Sequence, residues 1–194
     1  MMTKDEVLKI FEECGALLKG HFVLSSGLHA DTYLNKALVS RFPEPTERLG
    51  RALAEMIATL DEKPTAVVAP AMGAILFGYE TARAMGLPFM YTERENGEFT
   101  FRRGFGLEDG QKVIVVEDIV STGLSARECV DAVKKEGGVP LAVACLIDRS
   151  GGKADLGVPL LPLAELSIPT YDPDNLPEHL RNVPVVKPGS RGVK

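Results

Sequence analysis

VIVVEDIVSTGLS, residues 113–125, decides how the rest of the chain is read. Four branched apolar residues run directly into two adjacent acids, Glu117 and Asp118. A small, hydroxyl-rich turn follows, Ser121-Thr122-Gly123, and Ser125 opens a helical pattern. A short β-branched run bounded by such a turn reads as a buried strand. In open sheets of alternating strands and helices, ligands sit beyond the carboxyl ends of the strands. Acids and turn therefore converge on one point. Gly123 permits positive φ and close backbone approach. The amides and hydroxyls of the turn, with the helix N-terminus behind them, favour an anion. The macrodipole contributes only about 0.3–1 kcal/mol, so hydrogen bonds must supply most of the grip. Acids aimed at that anion would repel it. The expected arrangement turns them toward sugar hydroxyls or a hard cation such as Mg2+, which prefers carboxylate and phosphate oxygens. The turn lacks both the Gly-Lys-Ser/Thr of a P-loop and the GxGxxG of a dinucleotide site. The competing interpretation is a strand end with two solvated acids and a Ser/Thr helix cap.

Outward from this run, strands and helices alternate. AVVA at 66–69 is a buried strand, 73–85 a helix with Gly86 as its left-handed stop, and 89–92 a second strand. Residues 93–110 are charged and Gly-containing and read as a long flexible hairpin. Residues 125–136 form a helix ended by Gly137 and Gly138, and 139–147 a long apolar strand. This β–α–β–α–β order argues for an α/β fold with a parallel sheet flanked by helices on both faces. Toward the N-terminus, Thr3 and Glu6 make a capping box, and Val7, Phe11, Cys14 and Leu18 share a helical face. FVL and TYLN read as short strands around the turn SSGLHA. Thr46 is placed to cap another helix, with Leu49, Leu53, Met56, Ile57 and Leu60 as its stripe. From residue 151 the chain is rich in proline and glycine and is expected to add an edge strand and a surface tail.

The length of 194 residues suits one domain with a buried core. A net charge of −5 offers no basic surplus, so no nucleic-acid partner is expected. No apolar run approaches the roughly 18–20 residues that span a bilayer. The start MMTKDEVLKIF lacks an apolar signal core, so neither a membrane partner nor secretion is expected. Three well-separated cysteines, Cys14, Cys129 and Cys145, read as reduced thiols of a cytoplasmic protein. His21 and His29 flank the SSGLHA turn; their spacing suits hydrogen bonding better than metal ligation.

VIVVEDIVSTGLS resembles, position by position, the phosphoribosyl pyrophosphate signature of type I phosphoribosyltransferases. GALLKGHFVLSSGLHADTYLN, residues 15–35, resembles the opening segment of the orotate phosphoribosyltransferases, with Phe22, Leu24, Ser26, Gly27, Tyr33 and Asn35 matching. LIDRSGG, residues 146–152, is similar to that family's turn in which an arginine, here Arg149, meets the orotate carboxylate. The resemblance implies a type I phosphoribosyltransferase-like sheet with a small N-terminal hood and a flexible catalytic hairpin. Residues 1–40 would be hood and base-binding segment, 46–150 the core, and 151–194 the C-terminal edge and tail. It implies transfer of 5-phosphoribosyl from 5-phosphoribosyl 1-pyrophosphate to orotate, in pyrimidine (UMP) biosynthesis. Arg94, Met72, Gly73, Glu117, Asp118, Ile119, Val120, Ser121, Thr122, Gly123, Leu124 and Ser125 would bind the donor. Ser121, Arg149, Tyr33, Leu34 and Ser26 would bind orotate, although Tyr33 serves equally as core. Glu117, Asp118, Arg102 and Arg103 would be catalytic. Mg2+ is implied mainly through the donor's pyrophosphate and ribose, near Glu117 and Asp118, and a homodimer is implied as the assembly. The chain departs from the family in its lysines. Ser25 stands where one often precedes Ser-Gly, PAMGA (70–74) has none, and the hairpin TERENGEFTFRRGF offers only Arg94, Arg102 and Arg103. Arginine is expected to replace lysine at the pyrophosphate, binding oxygens bidentately without donating a proton. A purine-base phosphoribosyltransferase and a non-catalytic regulator with this fold are the alternatives.

Overall fold

Thr3 opens α1 (Lys4–Glu13) through a capping box: its hydroxyl accepts from the Glu6 amide at 3.3 Å, and the Glu6 carboxylate accepts from the Thr3 amide at 2.7 Å. The coordinates are a computed structural model describing residues 1–24 and 26–187. Ser25 and residues 188–194, part of the expected tail, lie outside the described residues. Val7, Ile10 and Phe11 form the buried face of α1. Cys14 is the C-cap and Leu18 already belongs to the next strand, so the helical stripe stops earlier than its spacing predicts. β1 (Leu17–Val23) and β2 (His29–Leu34) make an antiparallel hairpin with a bulge between Lys19 and Phe22. A single turn, α2 (Ala37–Ser40), leads into α3 (Pro43–Ile57), which buries Leu49, Leu53 and Ile57. Thr46 is not its cap. Proline starts this helix, and the Thr46 hydroxyl donates back to the Phe42 carbonyl at 2.7 Å inside the first turn.

The body follows: β3 (Ala66–Pro70), α4 (Ile75–Met85), β4 (Phe89–Glu95), β5 (Glu98–Phe101), β6 (Lys112–Val120), α5 (Leu124–Lys135), β7 (Val139–Asp148) and β8 (Leu160–Glu165). The sheet order is β5-β4-β3-β6-β7-β8, parallel throughout except for β5. Strand alternation divides the apolar residues between two faces. Ile114 and Val116 join Leu49, Leu53 and Phe77 in one cluster, while Val113 and Val115 join Ala126, Cys129, Val130 and Val133 in the other. Helices thus cover both faces, as the β–α alternation requires.

The expected long hairpin is short. β4 runs on to Glu95, and Asn96-Gly97, both at positive φ, turns the chain straight into β5. Asn-Gly is the favoured two-residue hairpin turn, and its signal lies within the charged stretch. The 1–40 segment also divides. The apolar face of α1 belongs to the same cluster as Ile114, so α1 packs on the body. The hood proper is β1 and β2, and its third strand comes from the far end of the chain. After α6 (Glu178–Arg181), β9 (Val185–Val186) pairs parallel with β1.

β3 and β6 are neighbours, yet the chain leaves them in opposite directions, through α4 to β4 and through α5 to β7. That reversal leaves a crevice at their carboxyl ends, where open α/β sheets bind ligands.

Candidate active site

The strand carrying the acids is longer than its apolar run predicts. β6 continues through Val120, so Glu117 and Asp118 lie within the sheet rather than beyond it. Alternation sends their side chains to opposite faces, Glu117 with Val113 and Val115, Asp118 with Ile114 and Val116. Neither acid is solvated. A Glu117 carboxyl oxygen accepts from the Asp118 amide at 2.9 Å. Burial, then the neighbouring Asp118 charge, pushes the Glu117 carboxyl well above the usual carboxylate range. Asp118 is fully buried. Its Oδ1 accepts from the Ile119 amide at 2.5 Å, and Lys36 Nζ lies 2.7 Å from Oδ1 and 2.6 Å from Oδ2.

Lys36 is a site residue that sequence reasoning missed. It follows Asn35 directly, one position beyond the N-terminal run that resembles the family, and sits at the start of α2. Its acidic partner is 82 positions away. A lone charge between Leu34 and the apolar 37–39 run was the available signal.

Beyond β6, Gly123 caps α5 at φ 82. A Cβ there would come within 2.8 Å of Leu156 Cδ2 and 2.9 Å of Ala154 Cβ, so both conformation and space demand glycine. Thr122 Oγ1 accepts from the Leu124 amide at 3.4 Å. α5 has no acid in its first turn and ends on Lys134 and Lys135, leaving its positive N-terminal end free for an anion. Across the crevice, a Cβ on Gly73 would overlap Asp118 Oδ2. The helix expected from Gly73 begins only at Ile75, which leaves 71–74 as a turn facing the acids. Between these loops lies a cavity of about 270 Å³, lined by Lys36, Phe99 and residues 70–73 and 117–126. Met72, Gly73 and every expected donor residue from Glu117 to Ser125 meet there.

The hairpin arginines do not line it. Arg94 pairs with Glu128, donates to the Gly97 carbonyl at 2.6 Å and stacks over Phe99. Arg102 lies 3.3 Å from Glu95, and Arg103 holds Glu93 through two bonds of 2.7 and 2.9 Å. Each is neutralised by a glutamate beside it, and the cavity receives none of the three. The expected base residues also lie off the cavity, apart from Ser121. The Arg149 amide donates to the Val120 carbonyl at 2.7 Å, tying it to the end of β6. Its guanidinium Nε is buried with no hydrogen-bond partner among the described residues. Burial lowers its pKa, and the Tyr33 phenol is the ionisable neighbour acting in the opposite direction. Leu34 does not face a ligand: alternation along β2 buries its side chain in the main core. Ser26 lies in the exposed turn, its hydroxyl accepting from the Leu28 amide at 3.4 Å. His21 Nε2 and His29 Nδ1 are 2.5 Å apart, and His21 Nδ1 donates to the Val183 carbonyl at 3.0 Å. Among the described residues, no three His, Cys, Asp or Glu side chains are grouped to hold a metal, and no helix is long and apolar enough to cross a membrane.

This geometry agrees with what the chain is similar to. Residues 42–156 match the family model of the phosphoribosyl transferase domain. The orotate phosphoribosyltransferase of Maricaulis maris is 58% identical over 99% of this chain and 100% of its own length. The structure of Mycobacterium tuberculosis orotate phosphoribosyltransferase in complex with inorganic phosphate superposes with a TM-score of 0.68, at 27% identity over 84% of this chain and 95% of that one. The same enzyme in complex with 5-phospho-alpha-D-ribosyl 1-diphosphate gives 0.64, at 25% identity over 82% and 96%. Matched by that family model over more than half of its length and 58% identical to a relative across nearly all of it, the chain belongs to the orotate phosphoribosyltransferase family.

Proposed function

We propose that the chain transfers 5-phosphoribosyl from 5-phosphoribosyl 1-pyrophosphate to the ring nitrogen of orotate, giving orotidine 5′-phosphate and pyrophosphate. The observation that carries this reading is the cavity in which a fully buried carboxylate and a hydroxyl-bearing helix N-terminus face each other. Such a site suits a ligand with hydroxyls at one end and a phosphate at the other.

The 5′-phosphate sits in the loop 119–125, on its amides and on the Ser121, Thr122 and Ser125 hydroxyls. Asp118 accepts from the ribose hydroxyls and stands near the positive charge that grows on the ring as the diphosphate leaves. Burial pushes the Glu117 carboxyl well above the usual carboxylate range, while Asp118 is paired with the Lys36 ammonium, so the adjacent acids sit in different environments. Residues 70–73, including Met72 and Gly73, offer backbone amides to the diphosphate. Arg149 fixes the orotate carboxylate, its unpartnered Nε being the donor that site needs. Ser121 stands near the base and Tyr33 beside it. Catalysis is then mostly positioning and electrostatics.

The chain's own residues do not fit a resident metal. The Lys36 ammonium already stands against Asp118, donating to Oδ1 and lying 2.6 Å from Oδ2, an atom with no hydrogen-bond partner of its own among the described residues. Burial pushes the Glu117 carboxyl up toward its neutral form, and no three His, Cys, Asp or Glu side chains among the described residues are grouped to hold an ion. In this reading magnesium enters on the donor's diphosphate, as part of the substrate. We further propose a homodimer, because Arg94, Arg102 and Arg103 lie off this chain's own cavity and a neighbouring copy's hairpin could bring its arginines to the diphosphate. Three free cysteines, each with its thiol pushed up by burial, support a cytoplasmic setting.

Pyrophosphate release assayed with orotate, adenine, guanine and xanthine in turn tests the reaction. Turnover with orotate alone is expected, and turnover with a purine base alone would overturn the assignment. Arg149→Ala should lose about 2–5 kcal/mol in kcat/KM for orotate, with the KM for the donor little changed. Wild-type kinetics would remove Arg149 from the base site.

A further inference from the structure

Lys36 touches two halves of the cavity at once. Its Nζ donates to Oδ1 of Asp118, a side chain wholly shielded from solvent, and lies 2.6 Å from Oδ2, which has no hydrogen-bond partner among the described residues, while the lysine side chain itself stays 42% exposed. It also lies against the turn on the other wall, since a Cβ on Gly73 would come 3.0 Å from both Cε and Nζ. Among the described residues that line the cavity it is the sole lysine or arginine. The three hairpin arginines are engaged with Glu93, Glu95 and Glu128 outside it.

A buried carboxylate without a counter-charge is strongly disfavoured. Lys36 therefore neutralises Asp118 in the free protein. A diphosphate carries more negative charge than one carboxylate, and its place in the proposed reaction is beside residues 70–73, within reach of the same ammonium. Lysine is a compact charge on a flexible stem that can move between two acceptors, and its exposed flank gives it room to do so.

We propose that Lys36 is the cation through which this chain binds the donor's diphosphate. Paired with Asp118 in the free protein, it turns to the diphosphate on binding and releases Asp118 to the ribose hydroxyls. No bond is made or broken in that exchange. Lys36 thus supplies, from the end of the hood, the lysine that the 70–74 turn and the hairpin lack. The proposal rests on the phosphoribosyl-transfer reading.

The test uses inorganic pyrophosphate as probe, with its dissociation constant measured by calorimetry. Lys36→Met is expected to weaken pyrophosphate binding by roughly ten- to a hundredfold, the range for a hydrogen bond to a charged group, with Lys36→Arg recovering part of it. A purely structural role is separated by the Asp118→Asn background, where no buried charge needs neutralising. If Lys36 contacts the diphosphate, Lys36→Met with Asp118→Asn still binds pyrophosphate at least tenfold more weakly than Asp118→Asn alone. Equal affinity in that pair overturns the proposal, as does wild-type affinity in Lys36→Met. The double comparison also decides the matter should Lys36→Met alone fail to fold. Lys36-dependent pyrophosphate binding in a wild-type protein that turns over no orotate would sink the base assignment and leave Lys36 standing. Orotate turnover with Lys36-independent binding would do the reverse.

Discussion

Burial and the Asp118 charge hold the Glu117 carboxyl well above its usual range, and this has a consequence for stability. In the unfolded chain a glutamate releases its proton at about pH 4.3. The folded protein keeps that proton to higher pH, so above this point the native state binds more protons and stability falls as pH rises, by up to about 1.4 kcal/mol per pH unit. Below it, Glu117 imposes no such cost. Glu117→Gln, neutral at every pH, should therefore gain in melting temperature on wild type as pH is raised through 5 and upward, and the gain should level off once native Glu117 ionises. A difference that is flat with pH would mean Glu117 is charged in the folded protein. The acid pair itself is plain in the sequence, because two carboxylates after a β-branched run can only be a strand and its load. Their opposite environments are not plain, since side-chain direction depends on where the strand ends, and the apolar pattern stops four residues before β6 does. Lys36 is harder still: its role exists only through a contact 82 positions away.

At the scale of elements, what is legible follows local chemistry. The α1 capping box, the Gly86 stop at φ 67 and the order of β3, α4, β4, β6, α5 and β7 all follow from residues within a few positions of each other. The misreadings share a cause, which is that two local signals compete. Thr46 looks like a cap, but Pro43 three residues earlier fixes the first turn. The charged stretch from 93 looks like a loose loop, but Asn96-Gly97 closes it as a tight hairpin. One contact between elements is visible only in the structure. Gly50 on α3 meets α4 so closely that a Cβ would lie 2.5 Å from Glu80 Cβ and 2.8 Å from the Glu80 carbonyl carbon. Gly50→Ala must push the two helices apart, and such overpacking costs about 1–3 kcal/mol. A lower denaturation midpoint with unchanged kcat is the expected result, because Gly50 is remote from the cavity. An unchanged midpoint would show that the α3–α4 pair can yield without cost.

At the scale of the molecule, the hood is assembled from both ends of the chain. Residues 17–34 supply β1 and β2, while the C-terminal segment supplies β9, the backbone pairing of Tyr171 with His29, and the Val183 carbonyl that accepts from His21. The edge strand expected beyond residue 151 is present as β8, at the end of the six-stranded sheet; no local pattern announces the hood pairing that follows it, which is why those later residues read from sequence as a tail. Phe22, Ala30 and Leu180 are buried but belong to neither of the two core clusters. Leu34 anchors the end of β2 in the main core, but the part of the hood around Phe22, Ala30 and Leu180 lies outside both clusters, and its stability should be separable. Leu180→Ala removes a fully buried side chain, a change that costs about 2–5 kcal/mol where the surroundings cannot collapse. Because the affected contacts are local, the loss should appear as sub-global opening. Hydrogen–deuterium exchange should quicken across β1, β2 and residues 171–186, while β3, β6 and β7 keep their protection. Tyr33 rides on β2, whereas the phosphate loop hangs from β6 and α5, so the KM for orotate should rise more than the KM for the donor. Faster exchange in β6 and β7 as well would show hood and body unfolding as one unit, and the base and donor halves of the site would then weaken together.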